Sequence, residues 1–332
     1  MRERHTLLWM SDHPQSVCAE APGGIGNFGP GLDVLGAAVE GLTDRVWAVL
    51  EEDRPGVHID RTGHPDLTRD AARHASGIAA TEVLRIAGRS GVGVSLRIEK
   101  GLPLAGGQGG SAASAVAAAV AVDALLGRTL TAEELINAAL AAEAKVSGHH
   151  ADNIIPSLIG GIVLIRSLED MDFVKLPVPS QLRVVLVHPG YRVSTQEARR
   201  ALPEWIERST AIHQMAQVSA IVSALYAGDL ELLGRAMDDR LAEPVRTPLL
   251  PGFVEAKRAA TEAGALGCGI SGAGPSAFAL VDDESLGADV AKAMIEAYAS
   301  RNVTATARIA KIDEQGARVV PAVEAPPVLR LV

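Results

Sequence analysis

The sequence predicts a two-lobed α+β protein, on three observations. Its 332 residues exceed the roughly 250–300 at which a single core tends to split. A strand-like alternation over residues 92–98, a glycine-rich segment from Pro103 to Ser114 and an Ala/Val-rich helical run over residues 112–126 follow one another directly. After Pro177, Pro179 and Ser180 the apolar pattern restarts in residues 182–188, which read as a short buried strand. The expected organisation is an N-terminal extension over residues 1–15, a first lobe over 16–178 and a second lobe over 179–332.

Composition narrows the function classes. Hydrophobic residues make up 48% of the chain, charged residues 21% and aromatic residues 3%, a globular composition. The formal net charge of -9 lacks the basic face of a nucleic-acid binder and opposes an anionic membrane surface. No apolar run reaches the roughly 18 residues of a membrane span, and the charged start of the chain does not read as a signal peptide. Cys18 and Cys268 lie far apart without metal-ligand spacing, which suits reduced thiols in a cytoplasmic protein, a disulfide between them staying open.

In chain order, residues 20–36 are too rich in Gly and Pro for regular structure, yet they carry Asn27 and Asp33, which either contact a ligand or close Asx turns. Residues 44–50 alternate as a strand and residues 70–87 carry helical periodicity. In the glycine-rich segment the backbone can approach a ligand closely, and the N–H groups of the helix that follows have no intrahelical partners. Their partial positive charge suits a phosphate, so the segment reads as an anion cradle or, more plainly, as a turn.

Thr131 and Glu134 form a capping box for a helix running to about Lys145. Glu143 lies in its last turn, against the helix dipole, where it either faces a cation or is solvated or lysine-paired. His149 and His150 are adjacent and point apart, and with no Cys or third His nearby they do not form a zinc site. In the second lobe, residues 195–202, 209–226 and 229–242 read as helices, with Arg199 and Arg200 on the first and Pro244 ending the third to leave Arg246 in a loop. A second glycine-rich turn, residues 267–276, leads into a strand over 277–281, then a helix over 286–299 and a strand over 305–312.

Pro22 to Asp33, Pro103 to Ser114 and Ser271 to Ser276 together resemble the three motifs of the galactokinase, homoserine kinase, mevalonate kinase and phosphomevalonate kinase superfamily. Within it the chain most resembles the homoserine kinase family, through His150-Ala-Asp-Asn153, Pro189 to Arg199, Ala242 to Arg246 and Leu250 to Phe253. The resemblance covers residues 18–318 and implies a ribosomal-protein-S5-like first lobe, a ferredoxin-like second lobe with added helices, and a homodimer.

The implied activity is ATP-dependent phosphorylation of the L-homoserine side-chain hydroxyl, for threonine biosynthesis. Carried over by position, Pro103, Leu104, Ala105, Gly106, Gly107, Gln108, Gly109, Gly110, Ser111, Ala112 and Ala113 would hold ATP, with Ser111 and Glu143 binding Mg²⁺. Asn27, Asp33, His150, Asn153, Arg199 and Arg246 would form the amino-acid pocket, with Asp33, Asn153 and Arg199 carrying the chemistry. Asp33 would orient the hydroxyl and not deprotonate it, because a loose phosphoryl-transfer transition state asks little of its nucleophile. The Ser271 to Ser276 turn would steady the phosphate loop.

The chain departs from the family pattern at several positions. Ala105 to Gly110 replaces two hydroxyl residues and one apolar residue, Leu32 replaces a Phe, and His74-Ala75 stands where many members carry Asn. The extra glycines imply a looser loop and weaker nucleotide binding. The departures at Leu32 and Gln108 leave room for a kinase of another small amino alcohol, and weakened nucleotide binding leaves room for an amino-acid-binding homologue without activity.

Overall fold

The computed structural model describes residues 14–146 and 148–321. Residues 1–13 of the expected N-terminal extension lie outside the described residues. The first sheet contains β1 (Ser16–Gly26), β2 (Leu35–Glu51), β3 (Gly56–Arg61), β4 (Gly93–Glu99), β5 (Ile162–Ser167) and β6 (Asp172–Leu176). It also takes β11 (Arg318–Val320), which returns from the far end of the chain to pair with β1. Helices α1 (Ala75–Ile86), α2 (Gly110–Leu125), α3 (Ala132–Val146) and α4 (Ile154–Ile159) belong to this lobe. Alanines dominate the face of α2 that packs on the sheet, so helix and strands approach closely, and α2 is buried along nearly its whole length.

The second sheet contains β7 (Arg183–Pro189), β8 (Gly267–Ile270), β9 (Ala277–Val281) and β10 (Ala305–Ala310), in the order β10-β7-β9-β8. Helices α5 (Thr195–Arg200), α6 (Arg208–Ala227), α7 (Leu230–Arg235), α8 (Glu243–Arg246) and α9 (Phe253–Glu262) connect β7 to β8, and α10 (Glu284–Ala299) connects β9 to β10. This β-α-β-β-α-β order is ferredoxin-like with inserted helices. Because β7 is covered on both faces it reads as an unbroken apolar run: Val185 and Val187 face the α9 and α10 side, while Val184 and Leu186 join a core that contains Ile25, Leu35 and Ala37 from the first sheet. Phe28 stacks on Phe278 in that shared core, with ring centroids 5.8 Å apart.

Three expectations are corrected. The Gly/Pro-rich stretch before Asn27 is the second half of β1, and Pro22 is tolerated because the pairing with β2 shifts register between Pro22 and Gly24. The helix expected over 229–242 ends at Arg235, because the Asp239 carboxylate accepts the backbone N–H groups of Leu241, Ala242 and Glu243 and so opens a separate turn. Pro244 does not leave Arg246 in a loop; it lies in the first turn of α8, where no N–H is missed.

One close contact positions the site. A Cβ at Gly36 of β2 would lie 1.7 Å from the carbonyl oxygen of Asp152, so only glycine lets the 150–153 segment rest on this strand. Replacing Gly36 with Ala is expected to destabilise the protein by on the order of 1–3 kcal/mol in urea unfolding. Unchanged stability would show that the segment moves away freely.

Candidate active site

The site forms where the segments on either side of three backbone contacts meet. β1 ends at Gly26, where an added Cβ would lie 2.5 Å from Asn153 Nδ2 and 2.6 Å from Asp152 Oδ2. Gly109, in the left-handed conformation at the start of α2, would place a Cβ 2.8 Å from Asn153 Oδ1. Asn153 therefore sits between the end of β1 and the glycine-rich loop. It stands at the N-cap of α4, yet its side chain makes no capping bond and lines the cleft instead.

The loop before α2 is tied to the second lobe. Ser271 Oγ donates to the Gly107 carbonyl at 2.7 Å, and Ser276 Oγ donates to the Gly106 carbonyl at 2.5 Å. At Gly107, in the left-handed region, a Cβ would meet the carbonyl oxygens of Ser271 and Gly274 at 2.5 and 2.6 Å. Glycine at 107 therefore permits a close approach to the Ser271 to Ser276 turn, and the two serine hydroxyls tether the loop to it. Below it, Lys100 pairs with fully buried Asp44 and donates to the Gly110 carbonyl at 2.8 Å and to Ser114 Oγ at 2.9 Å. Asp44 also accepts from Ser114 Oγ and from the N–H groups of Gly101 and Leu102. This well-bonded buried pair fixes the start of α2 against the end of β4.

On the other side of Asn153, the residues after β1 form a polar pocket. Asn27 adopts a left-handed backbone conformation, and its N–H donates to Asp152 Oδ2 at 2.8 Å. Its side chain donates to the Gly272 carbonyl at 3.0 Å and accepts from the Asp33 N–H at 3.3 Å, so it staples the loop to the second lobe. Asp33 forms a two-pronged ion pair with Arg199 of α5, at 2.6 and 2.8 Å. Burial pushes the Asp33 carboxyl up, but the Arg199 hydrogen bond and charge, helped by His150 and Arg246, outweigh it and hold the group below the ordinary carboxylate range.

Arg246 is buried and donates to the carbonyls of Gly272 at 2.9 Å and Ala198 at 3.4 Å. Among the described residues it forms no ion pair. Burial, and then the neighbouring Arg199, push its guanidinium below its ordinary value. Burial pulls His150 down, but the Asp152 hydrogen bond and charge, with Glu143, raise it on balance. Asp33, His150 and Asp152 each place one ligand atom within 4.8 Å of the others.

These features line a single cleft of about 540 Å³. It brings together Asn27, Asp33, His150, Asn153, Arg199, Arg246, Ser111 and Glu143 with loop residues Pro103 to Gly107, Gly109, Gly110 and Ala112. Gln108 and Ala113 do not line it, since both side chains are buried elsewhere. Glu143 is only 5% exposed, which removes the solvated alternative for it. Among the lining residues that sequence reasoning gave no role are Asp152 and Lys100. Asp152 lay within the quoted His150 to Asn153 segment without a role, and Lys100 carried no signal, since its partner Asp44 is distant in the chain.

His74 also lines the cleft and takes over the capping role that Asn would fill: its Nδ1 accepts the Ser76 N–H at 3.2 Å at the start of α1. The proton of the neutral ring therefore lies on Nε2, which has no hydrogen-bond partner among the described residues. Burial, and then the charge of Lys100, push His74 down to about 4.

A glycine-rich loop at a helix N-terminus, facing a carboxylate-and-guanidinium pocket across one cleft between an S5-like and a ferredoxin-like lobe, defines a small-molecule kinase. Residues 73–161 match the family model of the GHMP kinases N terminal domain, and residues 221–300 match GHMP kinases C terminal. The chain is 43% identical to the homoserine kinase of Arabidopsis thaliana, over 96% of this chain and 89% of that protein. It is 39% identical to the homoserine kinase of Chlorobium phaeobacteroides, over 92% of this chain and all of that protein. The crystal structure of homoserine kinase from Cytophaga hutchinsonii superposes with a TM-score of 0.88 at 37% identity, covering 92% of this chain and 98% of that one. The mevalonate kinase of L. major shares the fold, with a TM-score of 0.68 at 19% identity. The chain belongs to the homoserine kinase family of the GHMP kinases.

A histidine kept neutral by burial contributes stability that is fully present above its ordinary value of 6.5 and is lost as pH falls toward its folded value of about 4. His74→Asn keeps a capping group and removes this titration. Wild type is expected to lose about 2 kcal/mol more than the variant in urea unfolding between about pH 7 and about pH 5. Parallel losses would contradict a buried neutral His74.

Proposed function

We propose that this protein transfers the γ-phosphoryl group of ATP to the side-chain hydroxyl of L-homoserine, giving O-phospho-L-homoserine and ADP for threonine synthesis. The observation that carries this reading is Arg246, a buried guanidinium without an internal carboxylate partner among the described residues, in the same cleft as the glycine-rich loop. An uncompensated buried cation is costly, and the α-carboxylate of an amino acid would neutralise it through a planar fork.

In this reading Arg246 and Arg199 hold the substrate carboxylate, and Asn27, His150 and Asn153 complete the pocket. Asp33 orients the substrate. A carboxylate held ionised below its ordinary range is a poor general base, which supports positioning and not proton abstraction as its part. The hydroxyl oxygen attacks the γ-phosphorus, the bond to the β–γ bridging oxygen breaks, and the hydroxyl proton leaves to a phosphoryl oxygen or water as the new bond forms. The uncapped N–H groups of α2 donate to the phosphate oxygens, since Gly109 provides no side-chain cap.

A hydroxyl and a buried carboxylate that both line the cleft are hard oxygen donors that fit Mg²⁺, so Ser111 and Glu143 would hold it. When bound, the ion neutralises charge on the β- and γ-phosphate oxygens. The cluster of Asp33, His150 and Asp152 fits it less well, because Arg199 already takes both oxygens of Asp33 and imidazole is a poor Mg²⁺ ligand. The buried free thiols of Cys18 and Cys268 accord with a reducing cytoplasm.

Purified protein with ATP, Mg²⁺ and L-homoserine is expected to give O-phospho-L-homoserine; absence of that product, with another amino alcohol phosphorylated instead, would move the reading to that acceptor. Arg246→Met is expected to raise KM for homoserine by about 100-fold while KM for ATP changes less than about twofold. An equal rise in both constants would remove Arg246 from carboxylate recognition.

A further inference from the structure

Gln108 is the position where the glycine-rich loop departs most from the pattern of related kinases, with a polar amide replacing an apolar residue. Of residues 103 to 112 it is the one that does not line the cleft. Its side chain is only 3% exposed, and both ends of the amide are engaged. Nε2 donates to Ser276 Oγ at 3.1 Å, and Oε1 accepts from Arg308 Nη2 at 3.3 Å. Its backbone carbonyl accepts the Gly24 N–H of β1 at 3.1 Å.

The two partners belong to the second lobe. Ser276 Oγ spends its one proton on the Gly106 carbonyl at 2.5 Å, so it accepts from Gln108. It also lies 3.1 Å from His188 Nδ1 and, having no second proton, accepts there too. This places the ring proton of His188 on Nδ1. Burial pushes His188 below its ordinary value, so the neutral ring is the form that fills this place.

Arg308 comes from β10, the edge strand of the second sheet. Burial pushes its guanidinium down to about 10, so it stays charged near neutral pH. Among the described residues it has no carboxylate partner, and its Nε has no hydrogen-bond partner. Its other bond goes to the Glu40 carbonyl of β2, in the first sheet. A half-buried cation satisfied only by amide-type oxygens is a costly arrangement, and here those oxygens come from the glycine-rich loop and from the central strand of the first lobe.

We propose that Gln108 and Arg308 form a latch between the lobes that positions the phosphate loop from behind, so that nucleotide affinity depends on how β10 sits against the first sheet. Both are positioning residues, acting through the backbone of Gly106 to Gly109 and not by touching the nucleotide. In a loop this rich in glycine, the order that the Ser271 and Ser276 bonds leave unsupplied would have to come from nucleotide binding, at a cost to affinity. The latch supplies that order in advance. The inference rests on ATP as phosphoryl donor and is independent of which hydroxyl accepts.

The test is a double-variant cycle with Gln108→Leu, Arg308→Met and the pair, measuring the affinity of each for a non-hydrolysable ATP analogue with Mg²⁺ by calorimetry. Each single variant is expected to lose about five- to tenfold in affinity, the scale of one internal hydrogen bond. The pair is expected to be within about twofold of the weaker single variant, because both break the same link. KM for homoserine should stay within about twofold of wild type, which a general loss of structure would not permit, and circular dichroism checks that each variant is folded.

Unchanged analogue affinity in the folded single variants would overturn the proposal, as would losses that multiply in the pair. A wild-type protein that binds the analogue but does not phosphorylate homoserine would refute the acceptor assignment alone, with the cycle still deciding the latch. A wild-type protein that does not bind the analogue would overturn both.

Discussion

The backbone approach of Gly26, Gly36 and Gly109 to Asp152 and Asn153 is the constraint on which the site depends. A Cβ at any of the three would overlap this pair, at 2.8 Å or less. Because the contact is made by strand ends, a helix start and a loop from well-separated parts of the chain, it is also what brings the glycine-rich loop and the polar pocket of Asn27, Asp33 and Arg199 together around one asparagine. Asn27 adds a bond from its own N–H to Asp152, and a second from its side chain to Gly272. The first lobe thereby closes on the second at Gly272, on the lining of the cleft.

Charge follows the same economy. The chain carries a net charge of -9, yet it is read as binding a nucleotide and the carboxylate of an amino acid, so attraction has to be local. The uncapped start of α2 provides one positive end, and Arg246 provides the other. Lys100 and Arg199 are already compensated, by Asp44 and Asp33. Lys100 thus serves as a brace under the loop, whereas Arg199 has to share its guanidinium with any incoming carboxylate. The Arg199–Asp33 pair orders its side of the cleft in advance, and under the proposed function the cost of loosening it falls on substrate binding.

Much of this was legible in the sequence, for identifiable reasons. The phosphate loop shows itself because dense glycine before a helix start is a local pattern, and β7 because a strand covered on both faces is apolar throughout. Arg246 could be singled out only by resemblance, since an isolated arginine beside a proline carries no pattern of its own. The second half of β1 was hidden, because its glycines are required by close packing against β2, α4 and the loop, and local reading takes glycine as a turn. Asp152 and the Gln108–Arg308 link were hidden for a related reason: each is defined by partners on strands far away in the sequence. The bonds from Ser271 to the Gly107 carbonyl and from Ser276 to the Gly106 carbonyl, which tether the loop, were hidden in the same way, since both serines lie far along the chain.

The central claim is that donor and acceptor share one cleft, so that the phosphoryl group passes between them in a single in-line step. The most direct test is the stereochemical course at phosphorus, using ATP made chiral at the γ-position with oxygen isotopes and homoserine as acceptor. One in-line transfer inverts the configuration, and inversion is the predicted result. Retention would require an intermediate phosphorylated enzyme and would contradict the account.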